Sequence, residues 1–174
     1  MLIIFILSIL GLVAADQGIK YWAVHVLQEK GSIPFLHIGD FKIMDLTYLE
    51  NTGAVFGSFS GMKWFLIIIT TVLMAWCLYY FIRHKNRSKL LAIAVILVIS
   101  GGIGNSIDRI FRAKGAVIDY FDLQLFDFAV FNFADCCVVI GVILFMIYVL
   151  FIEGKNEKKK SLVSENKDKE DSSL

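Results

Sequence analysis

The chain has 174 residues, 57% of them hydrophobic, a single proline and a formal net charge of +1. That composition excludes an ordinary soluble domain and points to an integral membrane protein, mainly α-helical and polytopic. No basic surface offers itself to nucleic acid. Cys77, Cys136 and Cys137 all fall inside apolar runs, and His25, His37 and His84 are scattered, so neither a metal site nor a disulfide framework has the spacing it needs.

An apolar run opens the chain and reaches Ala15; its periodic continuation as Ile19, Tyr21, Trp22, Val24 and Val26 predicts a retained membrane helix over about 2–27. The run lacks the basic start of a cleavable signal sequence, and no lipobox cysteine stands near it. Tyr21 and Trp22 suit the membrane interface. Asp16 and Lys20, four apart, share a helix face and pair there.

The character then changes. Ile33 to Ile38 and Phe41 to Leu49 read as two strands around a Gly39-Asp40 turn, with a third extended piece from Ala54 to Phe59, making a small surface sheet over about 31–60. Asn51-Thr52-Gly53 sits within it. Trp64–Ile82 is uncharged and long enough to cross a hydrocarbon core, giving a second helix over about 62–82. A basic connection follows, Arg83 to Lys89.

The third helix, over about 90–110, becomes glycine-rich at Gly101, Gly102 and Gly104, which lets neighbouring helices approach closely. It ends in Asn105, Asp108 and Arg109, an amide, a carboxylate and a guanidinium on one face. This is either an interfacial Asp-Arg pair or a polar scaffold beside a site. The stretch 111–131 connects, with Gly115 as a turn, to a fourth helix over about 132–152. Beyond it, 155–174 is charged and serine-rich and reads as a disordered tail, leaving 1–154 as one membrane-embedded domain.

Four carboxylates crowd the stretch from Val117 to Asp135 among apolar and aromatic residues. Asp119 follows two β-branched residues, and Asp135 opens a membrane-spanning run. An ionisable group at such a place is a functional candidate by default. Asn132 also fits an N-cap, with Asp135 in the first turn, so capping alone accounts for that pair.

Orientation weighs between these readings. The side holding both termini and the loop between helices two and three carries ten Lys/Arg against six Asp/Glu, and the remainder carries seven against ten. The positive-inside rule makes the first side cytoplasmic. Asp16, Lys20, Asn51, Asn105, Asp108, Arg109, Asp119, Asn132 and Asp135 then gather at the opposite face. Capping alone does not explain that clustering. Two close carboxylates tend to share a proton, which poises one as base and one as acid. With no nucleophile and base partner nearby, metal-free hydrolysis by an aspartate pair is the simplest chemistry, and which aspartate is base stays open. A proton-coupled transporter is the competing reading, but it wants acids spread through the membrane depth.

Asp16-Gln17-Gly18-Ile19-Lys20, Asn51 through Gly57, Gly104 through Arg109, Val117 through Phe121 and Phe131 through Asp135 resemble, in order, the signature blocks of lipoprotein signal peptidase, the type II signal peptidase of bacteria. Each block is short; five in order are specific. The resemblance implies an aspartic endopeptidase of the cytoplasmic membrane that needs no cofactor or metal. It would cut prolipoproteins just before a diacylglyceryl-modified cysteine. It carries the catalytic role to Asp119 and Asp135 and substrate-binding or site-supporting roles to Asn51, Gly53, Asn105, Arg109 and Asn132. Asp16, Lys20 and Asp108 support the fold around them. It makes the surface sheet a cradle over the substrate, and it implies globomycin as an inhibitor and membrane lipids as neighbours. Ile19, where threonine is usual, and Cys136-Cys137, where small or hydroxyl residues are, depart from the pattern at no catalytic position.

Overall fold

The computed structural model describes residues 2–54, 57–84 and 88–153; the expected tail and part of the basic connection lie outside the described residues. Four helices, α1 (Leu2–Lys30), α2 (Lys63–Arg83), α3 (Lys89–Phe111) and α4 (Phe133–Ile147, continued by a π-helical stretch over Tyr148–Glu153), are each long and apolar enough to cross a membrane. Half of the most apolar window of α3 is buried, against 6% for α1. The outer helices therefore surround α3 and turn Leu2, Ile3, Leu7, Ile68, Val72, Val139 and Ile143 outward. Without water to drive helix association in lipid, close backbone approach has to hold such a bundle together.

The glycines of α3 supply it in three directions. A Cβ at Gly101 would run into the carbonyl oxygen of Ala134 on α4, one at Gly102 would lie 2.5 Å from the sulfur of Met74 on α2, and one at Gly104 would lie 2.5 Å from an Asp16 carboxylate oxygen on α1. Gly101→Ala pushes α4 off α3 against backbone, where no side chain yields. An overpacking loss of about 1–3 kcal/mol is expected, measured as a drop in Tm of the detergent-solubilised protein.

At the end of the bundle where α1 and α3 finish and α2 and α4 start lies a three-stranded antiparallel sheet of β1 (Ile33–Ile38), β2 (Phe41–Asn51) and β3 (Val117–Leu123), in that order. The Gly39-Asp40 turn closes the first hairpin, where Ile38 pairs with Phe41. The expected third extended piece is corrected here. Ala54 is a bend and Gly57–Ser60 a turn, Val55 and Phe56 lying outside the described residues, and the third strand comes from the connection before α4, Asn51 pairing with Val117 and Leu49 with Asp119. Ile118, Tyr120 and Leu46 pack on Ala23 and Leu27 of α1 in a small core of their own. This core explains why α1 runs on to Lys30, a turn past its expected end. With Ile118 and Tyr120 held against α1, alternation along the strand turns Asp119 the other way, and a bulge follows, where Tyr120 and Phe121 both donate to the Phe131 carbonyl and their rings lie 4.7 Å apart.

Candidate active site

The N-terminus of α4 is tied down by two separate segments and by its own N-cap residue. A helix leaves its first backbone N–H groups without partners. Here Phe133 donates to the Tyr120 hydroxyl at 3.1 Å, Ala134 to Asp16 Oδ1 at 3.1 Å, and Asp135 to Asn132 Oδ1 at 2.9 Å. Asp135 Oδ2 returns the last bond by accepting the Asn132 N–H at 3.0 Å, which completes a capping box. The capping reading of Asn132 and Asp135 is thus correct. It does not exhaust what the two residues do.

The Asn132 carboxamide has its oxygen committed to a backbone N–H, so its Nδ2 faces the other way and donates to Asp119 Oδ1 at 2.6 Å. It also reaches Asn105 Oδ1 at 3.2 Å. Asn51 Nδ2, from the end of β2, donates to the second oxygen of Asp119 at 2.9 Å. Asn105 Nδ2 donates to Asp135 Oδ1 at 2.7 Å. The two aspartates are thereby joined through Asn132, one on a strand and one on a helix.

Asn105 is oriented from beneath. The Lys20 ammonium, fully buried, carries only donors, and it lies 2.9 Å from Asn105 Oδ1, 2.9 Å from Asp16 Oδ2 and 2.8 Å from Asp108 Oδ2. The contact with Asp108 is an ion pair and not an aligned hydrogen bond. Asp108 takes its hydrogen bond from Arg112 Nε at 2.8 Å, four residues on. Of the two readings of this helix end the polar scaffold holds, and not the Asp108-Arg109 pair: Arg109 donates to the Gly53 carbonyl at 3.4 Å. Gly53 also donates its N–H to Asn51 Oδ1 at 2.9 Å. A Cβ there would stand 2.5 Å from the Ser58 carbonyl oxygen, so only glycine lets this loop close over the site.

All ten residues singled out in the sequence therefore meet in one network. Asn51, Gly53, Asn105, Arg109, Asp119 and Asp135 line one end of a cavity of about 590 Å³. Its other wall is apolar, from Leu66, Leu73 and Met74 of α2, Val98 of α3 and Val138 and Ile140 of α4. Ile140 and Ile69, on α4 and α2, are also about half exposed on the outer surface, so the cavity borders the lipid-facing side. Two residues of the network escaped the sequence reading although they lie inside its motifs. Gln17 donates to Asp16 and to the Gly104 carbonyl, and Tyr120 caps α4. No group of three or more potential metal-ligating side chains exists among the described residues.

Asp119 is 2% exposed. Burial, and next the negative charge of Asp135, push its carboxyl up to about 7, against the opposing pull of the Asn51 and Asn132 amides. A carboxyl held there carries a proton for part of the neutral pH range, the state a general acid requires.

The signal peptidase (SPase) II family model matches residues 8–151. Lipoprotein signal peptidases of Streptococcus pyogenes serotype M2 (strain MGAS10270) and serotype M1 are each 40% identical over 144 residues, which is 83% of this chain and 91% of theirs. Two solved bacterial membrane enzymes, determined by the in meso method at 2.3 Å and 1.9 Å resolution, superpose with TM-scores of 0.72 and 0.70 at 32% and 33% identity. They cover 87% and 85% of this chain and 90% and 93% of theirs. Four apolar helices, a strand and a helix end holding two bridged aspartates, and this likeness over most of its length agree: the chain belongs to the signal peptidase II family.

Proposed function

We propose that this membrane peptidase removes the signal peptide from prolipoproteins just before a diacylglyceryl-modified cysteine, with Asp119 as general acid, Asp135 as general base and residues 1–154 as the working unit. The observation that carries the reading is the polarised bridge between two unlike carboxylates. Asp135 accepts from the Asn132 N–H and the Asn105 amide at the start of α4, which leaves it two hydrogen bonds to its oxygens and no proton donor of its own to satisfy. Asp119 is the buried partner that retains a proton.

In the reaction Asp135 takes a proton from water as its oxygen attacks the scissile carbonyl carbon, and Asp119 gives its proton to the carbonyl oxygen. Collapse of the resulting diol returns one hydroxyl proton to Asp119. The proton on Asp135 passes to the amide nitrogen, the C–N bond breaks and the cysteine amine leaves. Both carboxyls end as they began. The apolar half of the cavity, beside the lipid-facing surface, suits a substrate whose acyl chains stay in the bilayer while its scissile bond reaches the polar end. By family resemblance globomycin would occupy the same groove. The Lys/Arg distribution supports cytoplasmic termini and an extracytoplasmic site.

Purified protein with a diacylglyceryl-modified prolipoprotein and a chelator tests the proposal. Chelator-resistant cleavage before the lipidated cysteine supports it; intact substrate with well-folded protein overturns it.

A further inference from the structure

A chain of phenylalanine rings leads outward from the candidate site. Phe121 stands two residues from Asp119 on β3, where the strand bulges: Tyr120 and Phe121 both donate to the Phe131 carbonyl. The Phe121 ring lies 5.5 Å from that of Phe131 and 6.3 Å from that of Phe35 on β1. From Phe131 the rings continue to Phe128 at 6.0 Å, and from Phe128 to Phe126 at 6.0 Å. Phe128 and Phe131 also line the cavity that holds both aspartates. The tract is therefore continuous with the place where the peptide bond is cut. Its ends, Phe35 and Phe126, are 58% and 60% exposed.

We propose that this tract is a subsite for the polypeptide that follows the scissile bond, held in extended form. It rests on the peptidase reading above and adds a substrate element to it. Each step between neighbouring rings matches about two extended residues, at about 3.3 Å each. Direction selects which segment. The acyl chains and the apolar signal sequence belong to the bilayer, so the chain beyond the lipidated cysteine leaves by the sheet, where these rings are. Sequence chemistry separates peptide from lipid as the occupant. The tract reads Tyr120-Phe121-Asp122-Leu123-Gln124-Leu125-Phe126-Asp127-Phe128, and carboxylates interleaved with the rings are unfavourable against acyl chains. Beside a polypeptide backbone they are tolerated, and aromatic faces give contact area at small entropic loss.

Two lipopeptides test it, sharing signal sequence and diacylglyceryl cysteine, one ending a single residue after the cysteine and the other seven residues after. The wild type is expected to cleave the longer with about tenfold higher kcat/KM, carried by KM. In the double variant Phe35→Ala/Phe126→Ala that advantage collapses toward one, and Phe35→Tyr/Phe126→Tyr restores it. Phe35 and Phe126 are surface residues, and thermal unfolding checks that both variants fold. An advantage that survives the double alanine variant overturns the subsite, as does a wild type with no preference. A loss of equal size on both lipopeptides overturns it too, and points to the rings meeting lipid. If the wild type cuts neither lipopeptide, the peptidase reading itself has failed.

Discussion

Asp119→Asn and Asp135→Asn each abolish signal-peptide removal, lowering kcat by about 10³-fold or more, while both proteins still insert and fold. The substitutions keep shape and remove the ability to hold or give a proton. At Asp135 an amide can still accept the Asn132 N–H, so the α4 cap largely survives. At Asp119 burial made the charge unfavourable in the first place, so a neutral amide is tolerated. Cleavage of a lipidated prolipoprotein, beside thermal unfolding of each variant, checks the pair; near-full activity in either variant removes that residue from the mechanism.

The pH profile distinguishes the two roles. A general acid must be protonated, so with the Asp119 carboxyl pushed up to about 7, kcat/KM falls as pH rises through that value. Were Asp119 the base, the rate would climb over the same range. Stability follows the same sign. The folded carboxyl holds its proton at a pH where an unfolded one has lost it, so this contribution is complete below the ordinary value of 3.8 and is lost as pH rises through about 7.

Much of this arrangement was legible in the residues because membrane chemistry restricts what a chain can do. Four uncharged runs with basic ends fix four helices, and Asn132 with Asp135 reads as a helix start from local rules alone. The strand Val117–Leu123 was not legible. Its residues Val117 to Tyr120 are buried on both faces, so no polar alternation announces it, and its carboxylates resemble a loop. The two sides are buried for different reasons: Ile118 and Tyr120 against α1, Asp119 against Asn51 and Asn132. Only the folded chain supplies those partners. The choice of Arg112 over Arg109 by Asp108, by contrast, follows from spacing already present in the sequence. Residues four apart share a helix face, whereas adjacent ones do not; Arg109 was free to find the Gly53 carbonyl across the site.

Lys20→Met tests the part of the network that never touches the cavity. The ammonium is the shared counter-ion of Asp16 and Asp108, and breaking a buried pair by removing one partner is expected to lower stability by about 3–5 kcal/mol. Asp108→Asn added to Lys20→Met removes one of the two stranded carboxylates and recovers part of that loss, read as a rise in Tm over the single variant. Activity does not return with it. Without a donor-only group at 2.9 Å from its oxygen, the Asn105 carboxamide is free to rotate and present oxygen to Asp135, where it now presents an N–H. Asp135 then loses the hydrogen bond that fixes its carboxylate toward the cavity. The kcat/KM of the double variant should therefore stay depressed. A double variant that regains wild-type activity together with its stability would show Lys20 to be a counter-ion only, and the orientation of Asn105 to be held by Asn132 and Asp135 alone.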